Sequence, residues 1–213
     1  MKKIQTLILV LISLALNAQN NPGDKVVSIN AGFSWTGFIF NTLTADDINI
    51  NLENTDASVG SFSAAASPAV GLTFDYGITE VFSLGGLYAQ QSFTGDIENY
   101  SWKDINGVQQ TESLSFDASR NNISLVPRFH FRMKSEQVDL YSGFKIGFNF
   151  WRLNVDAQDR DFSALDKLTP SRPSFGLIPI GARFNIAENF GLNVETGVGA
   201  PYVFSIGAQY KFQ

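Results

Sequence analysis

From Lys25 onward the sequence repeats with a period of two. Val27, Ile29, Ala31, Phe33, Trp35 and Ile39 alternate with Ser28, Asn30, Gly32, Ser34 and Thr36. Ala64, Ala66, Pro68, Val70, Leu72, Phe74 and Tyr76 alternate with Ser63, Ala65, Ser67, Gly71, Thr73 and Asp75. Successive side chains of a strand point to opposite faces, so this rhythm of β-branched and aromatic residues reads as strand rather than helix. It recurs near 81–93, 118–132, 138–151, 174–186, 190–199 and 202–212, which makes about eight strands. Each is long enough for the roughly 9–11 residues of a membrane-crossing strand.

Alternation alone also fits a soluble β-sandwich or a lipocalin-like barrel, and the two faces decide between them. Asn121, Ile123, Leu125, Pro127, Phe129 and Phe131 form one face of the fourth strand, with Arg120, Asn122, Ser124, Arg128, His130 and Arg132 on the other. Leu140, Phe144, Ile146, Phe148 and Phe150 of the fifth oppose Tyr141, Gly143, Lys145, Gly147 and Asn149. A water-facing sheet would be dense in Lys, Glu and Thr. Here the polar face is mostly Gly, Ser and Asn with isolated charges, and charged residues are only 16% of the chain against about 25% in ordinary soluble domains. A narrow lumen has this composition, because small residues make room for a few long ones.

The connections alternate as well. Gly77–Glu80, Lys134–Gln137 and Ala187–Asn189 are tight, whereas 41–62, 95–117 and 152–173 are long and polar. These features predict an eight-stranded antiparallel up-and-down transmembrane β-barrel, one domain over 19–213, with short periplasmic turns and long external loops. Asn106-Gly107 reads as a two-residue type I′ hairpin turn. Centring strands on it pairs Tyr88 with Leu125, Leu84 with Phe129 and Phe82 with Phe131, outward residue against outward residue. A turn at Lys134-Ser135 likewise pairs Phe129 with Leu140 and Leu125 with Phe144.

Residues 1–18 read as a secretory signal peptide: Lys2 and Lys3, an apolar run from Leu7 to Leu16, and small Ala18 at the cleavage site. That run is too short to span a bilayer. Its removal takes the net charge from −5 to −7, through the loss of Lys2 and Lys3. The acidic balance argues against nucleic acid as a partner. With no cysteine in the chain, disulfides, Cys-ligated metals and thiol nucleophiles are excluded.

The chain ends Ser205-Ile206-Gly207-Ala208-Gln209-Tyr210-Lys211-Phe212-Gln213. Ser205, Gly207, Tyr210 and Phe212 resemble the C-terminal assembly signal of outer-membrane barrels, with Gln213 as an extra last residue. Gly181-Ala182-Arg183-Phe184 and Glu195 sit as in the sixth and seventh strands of the same group. The mature chain resembles the small eight-stranded outer-membrane β-barrel proteins of diderm bacteria. The resemblance implies insertion by the barrel-assembly machinery and residence in the outer membrane among lipid and lipopolysaccharide. It fixes no single activity, since such barrels include structural, adhesive, transport and enzymatic members.

Three sets of residues could carry function. Asp75, Arg128, Arg132, Lys145, Arg183 and Glu195 point into the lumen and are expected to form an ion network, with Arg183 diagonal to Glu195 and Gly181 and Gly207 flanking it. This network reads as a structural plug or as a gated ion path, and eight strands leave no open porin-like channel. His130, the only histidine, lies near a periplasmic turn, the wrong end for rim chemistry. No catalytic, cofactor or metal residues are assigned.

The loops 41–62 and 95–117 carry the acidic excess. Asp47, Asn49, Asn51 and Glu53 alternate with Ile48, Ile50 and Leu52, which reads as a strand extended past the membrane, without the glycine and spacing of a Ca²⁺ loop. In 95–117, pairing of Tyr100 near Ser113 and Ile97 near Phe116 suggests a projecting hairpin, with Tyr100 and Trp102 as candidate contacts for an external protein. The expected function is a non-enzymatic structural or surface-interaction barrel. The alternatives are a narrow porin-like transporter for small or hydrophobic molecules and, third, a lipid-modifying enzyme.

Overall fold

A computed structural model describes residues 20–52, 57–131, 137–157 and 171–212. The expected signal peptide, Arg132, the Lys134-Ser135 turn, the middle of loop 152–173 and Gln213 lie outside the described residues. The strand segments are β1 (Lys25–Phe33), β2 (Ser61–Ala66), β3 (Ala69–Thr79), β4 (Phe82–Lys103), β5 (Gln109–Phe131), β6 (Val138–Ala157), β7 (Arg172–Asn185), β8 (Phe190–Thr196), β9 (Val198–Gly199) and β10 (Phe204–Phe212). β2 and β3 both pair with β4, and β8 and β9 both pair with β7, so each couple is one barrel strand interrupted, at Ser67-Pro68 and at Gly197. Pro68 has no N–H to give a ladder, which accounts for the first interruption. All pairings are antiparallel, and β1 bonds to both β3 and β10, which closes a ring of eight strands.

The two faces are inverted relative to a soluble sheet. Along β5, Ile123, Leu125, Phe129 and Phe131 are exposed, while Arg120, Asn122, Ser124, Arg128 and His130 are buried. Such an outer surface is stable only in hydrocarbon, where a closed barrel also leaves no strand edge unpaired.

The expected registers are corrected by two residues. Phe82 pairs with Phe129, Leu84 with Pro127 and Tyr88 with Ile123. Two one-residue steps produce the shift. The hairpin turn is wider than a type I′ turn: the Asp104 N–H donates to the Val108 carbonyl at 2.9 Å, and the Gly107 N–H to the Asp104 carbonyl at 2.9 Å. Of Asn106 and Gly107, only Gly107 has a positive φ, at 78°. The Asp104 carboxylate accepts from the Asn106 and Val108 N–H groups at 2.8 and 2.9 Å and fixes this turn.

The second step is a bulge between Ile97 and Tyr100, where Asn99 takes φ 54°. Ile97 therefore meets Leu114 and Tyr100 meets Glu112, in place of Phe116 and Ser113. β5 and β6 are likewise displaced, with Phe129 against Ser142 and Leu125 against Ile146. A shift of two leaves every side chain on its expected face.

Two helices replace expected strand. α1 (Trp35–Thr42) begins where β1 was expected to continue to Ile39, because Ser34 caps it, accepting the Gly37 N–H at 2.9 Å. α2 (Ala45–Leu52) replaces the extended reading of Asp47–Glu53. Thr44 and Asp47 form a capping box: the Thr44 N–H and hydroxyl donate to Asp47 Oδ2 at 2.9 and 2.7 Å. Asp46 and Asp47 also sit at the positive end of the helix.

The Thr44 hydroxyl and N–H hold the Asp47 carboxyl below its ordinary value. A depressed carboxyl stabilises above the unfolded pKa and loses that contribution as pH falls through the folded one. The first turn of α2 should therefore hold at neutral pH and fray only below about pH 4. Amide exchange at 45–48 across a pH series checks this, and Thr44→Ala should fray the turn at every pH.

Candidate functional site: the ion network in the lumen

Inward positions of five strands bring six charges together. Asp75 on β3 accepts from two arginines, Arg128 of β5 at Oδ1 and Arg183 of β7 at Oδ2, the second at 2.7 Å. Arg128 also reaches Glu195 of β8 at 3.3 Å, and Lys145 of β6 ion-pairs with the other oxygen of Glu195. Arg183 lies 3.7 Å from Asp139 of β6. These three acidic and three basic side chains are all no more than 7% exposed.

Tyr141 stands at the centre. Its hydroxyl donates to Glu195 at 3.2 Å, and the Arg128 and Arg183 guanidinium groups lie 5.3 and 5.2 Å from its ring centroid. The ring lies over Gly181, its cross-strand partner, where a Cβ would collide with it.

Beyond Asp139 the network continues. His130 Nδ1 is 2.8 Å from Asp139 Oδ1, and its Nε2 is 2.8 Å from Ser83 Oγ. Ser83, His130 and Asp139 thus have the connectivity of a serine-hydrolase triad. Ser83 has no exposed surface, however. Asn20 lies at this end of the barrel, its side-chain amide donating to the Thr79 carbonyl at 2.6 Å.

Towards the other end, Leu87, Ala89, Val126 and Ile178 fill the lumen with Tyr141. An aromatic layer lies beyond them: Phe40 contacts Phe93 at 4.9 Å, and Phe93 contacts Trp151 at 5.5 Å.

Five of the six expected lumen charges converge; the sixth, Arg132, lies outside the described residues. The pairing within the cluster differs from expectation. Glu195 faces Gly181 on one side but Ser205, not Gly207, on the other. Its cations are Lys145 and Arg128, while Arg183 turns to Asp75 and Asp139. Lumen side chains reach across the barrel, so strand adjacency does not determine ion partners. Asp139, Tyr141, His130 and Ser83 join the network beyond the expected charges, with Tyr141 and His130 on the inward face that the sequence assigns them. Strand parity was the available signal, since Asp139 and Tyr141 share the inward parity of Lys145.

Of the C-terminal residues, Ser205 is buried inside, whereas Tyr210 and Phe212 are outward and contact each other edge to face at 4.8 Å. Gly207 lets Asn30 and Asn193 approach from the two neighbouring strands. Tyr100 and Trp102 stack at 5.3 Å on a β4–β5 ribbon that stays paired to Lys103 and Gln109. No group of three metal-ligating side chains occurs among the described residues.

A closed antiparallel ring, apolar outside and ionic within, agrees with a sequence match over residues 6–213 to the family described as outer membrane protein beta-barrel domain. The chain belongs to that family. Membership places it in the outer membrane. Several solved outer-membrane barrels are similar to it. The attachment invasion locus protein Ail of Yersinia pestis, solved in complex with the heparin analogue sucrose octasulfate, is 13% identical. That match covers 90% of this chain and 99% of Ail, with a TM-score of 0.44. OprG of Pseudomonas aeruginosa is 12% identical over 92% and 98% of the two chains, TM-score 0.46. Outer membrane protein W of E. coli is 17% identical over 91% and 100%, TM-score 0.43. No curated protein matches the sequence.

Proposed function

We propose that this outer-membrane barrel is non-enzymatic, with a locked lumen, and acts at the cell surface by presenting the β4–β5 ribbon to a protein partner. The ribbon is the observation that carries the reading. β4 and β5 run for 22 and 23 residues, more than twice the nine of β1 and β10. Its paired arms hold Tyr100 and Trp102 in a stack, with exposed Ile105 and Val108 at the tip. A formed ribbon of this kind offers rigid aromatics as anchors, and its β4 arm is itself braced by a bridge from Ser58 to Ser101. The buried nucleophile position of Ser83 supports a packing role for His130 over hydrolysis.

On this reading residues 1–18 are the export signal, and the long loops face outward among lipopolysaccharide. Ser205, Gly207, Tyr210 and Phe212 are what the assembly machinery recognises. A photo-crosslinking residue in place of Trp102, irradiated on intact cells beside their natural neighbours, tests the surface role. A discrete protein adduct that disappears when 99–112 is replaced by a short turn is expected. Adducts with lipid alone overturn it.

A further inference from the structure

The barrel wall changes character where β1 ends. β1 pairs with β3 as far as Gly32–Ala69 and with β10 as far as Phe33–Phe204. Beyond that level β2 has, among the described residues, a strand on one side only, β4, and α1 packs against it in place of the other. Asn41 Oδ1 accepts the Ala66 N–H at 2.7 Å and holds α1 to that edge. Between α1, the Ser67-Pro68 break and Val203 lies a cleft of about 370 Å³, large enough for a small ligand. Its mouth is apolar and faces the lipid, with Phe33, Trp35 and Phe38 exposed by 67, 60 and 62%. Its inner end is polar, made by the buried side chains of Ser34 and Gln91.

Behind Gln91 sits Arg120, 5% exposed. Arg128, Lys145 and Arg183 each have a carboxylate, but Arg120 has only neutral acceptors among the described residues. These are Gln91 Oε1 at 2.6 Å, the Pro201 carbonyl at 2.8 Å and Thr36 Oγ1 at 3.2 Å, with the Trp151 ring at 5.8 Å. The N-terminus of α1 directs its partial positive charge to the same place, and its first turn holds no acidic residue. A buried guanidinium and a helix N-terminus thus converge on neutral acceptors, with no anion between them among the described residues, so the desolvation of the cation is only partly offset. Gln91 Oε1 accepts from Ser34 Oγ at 2.8 Å as well as from Arg120, so two donors already aim at one oxygen position.

We infer that this cleft binds a free long-chain fatty acid, head first. The carboxylate displaces the Gln91 side chain, which gives up its amide N–H bond to the Ser67 carbonyl, and takes the place of its oxygen between Ser34 and Arg120, while the chain runs out past Phe33, Trp35 and Phe38 into the bilayer. A phospholipid or lipopolysaccharide has the opposite polarity: its headgroup stays at the interface, its chain ends point inward, and Arg120 keeps no anion. Charge-assisted hydrogen bonds between guanidinium and carboxylate supply the selectivity.

Palmitate labelled at its carboxyl carbon, titrated into the full chain folded in detergent micelles, tests this by carbon NMR. Saturable binding of one molecule per chain is expected, with hexadecanol competing at least about tenfold more weakly. Arg120→Gln should weaken palmitate by about tenfold or more while keeping the folded, heat-modifiable band. Ala66→Phe, which fills the cleft and leaves Arg120 in place, should abolish binding, and it carries the test should Arg120→Gln fail to fold. Equal competition by hexadecanol or by phospholipid, unchanged affinity in a folded Arg120→Gln, or the absence of saturable binding would each overturn the assignment.

Discussion

Asp75→Ala is expected to lower the unfolding free energy of the barrel by about 3–5 kcal/mol, the range found when one partner of a buried ion pair is removed. Asp75 is 2% exposed and is shared by Arg128 and Arg183, so its loss uncovers two guanidinium groups at once. Arg128 keeps Glu195 at 3.3 Å, but Arg183 keeps only Asp139 at 3.7 Å. Neither contact replaces a shared carboxylate inside a low-dielectric lumen. Denaturant unfolding in detergent, followed by the shift of the heat-modifiable band, measures the loss. Glu195→Ala should behave similarly, with Lys145 rather than Arg183 as the main cation left behind. Replacing Asp75 and Arg128 together by apolar residues of similar volume should cost less than Asp75→Ala alone, because Arg183 then keeps Asp139 and Lys145 keeps Glu195. A single Asp75→Ala variant as stable as the parent would mean that water enters the lumen.

The second large effect is expected on assembly rather than on equilibrium stability. Tyr210 and Phe212 face lipid on β10, in contact with each other, and β10 is the strand that meets β1 to close the ring. Phe212→Ala should sharply reduce the fraction that folds into the outer membrane, and Tyr210→Ala should reduce it as well. Gel mobility with and without heating reports the folded fraction in membranes. Lys211→Ala, which breaks an ion pair to Asp24 at 2.6 Å but leaves both aromatics in place, serves as a control and should assemble nearly normally. Equal folded yields for all three would remove the assembly-signal reading of the C-terminus.

The period-two pattern made the fold legible because a membrane barrel writes its two environments directly onto alternate residues. Face assignment along β5 and β6 needed nothing else. Register was less legible. The pairing of outward with outward residues detects a slip of one, yet the wide turn at Asp104–Val108 and the bulge at Asn99 together shifted β4 against β5 by two, to which that check is blind. Alternation also concealed helices: Ile48, Ile50 and Leu52 alternate with polar residues, but Thr44 and Asp47, three apart, are a helix start signal that should have outweighed it. Within the site, composition and parity located the lumen charges. Their partners depended on distances across the barrel, which no neighbouring-strand argument supplies. Arg120 has the same parity as Arg128, and only the geometry separates a cation in the network from one without a carboxylate.

The lumen is the decisive place to test whether this protein is a closed barrel that acts at its surface. Lys145, Asp75, Tyr141 and Phe93, at different levels along the barrel, are each no more than 2% exposed. Ions would have to displace fixed charges and then an aromatic layer to pass. Current recording across planar bilayers containing the purified, folded protein measures this directly. A flat baseline at both polarities is expected, the same as for bilayers that received detergent alone. Reproducible unitary conductance steps from the unaltered protein, lost on heat unfolding, would contradict the closed lumen and favour the transporter instead.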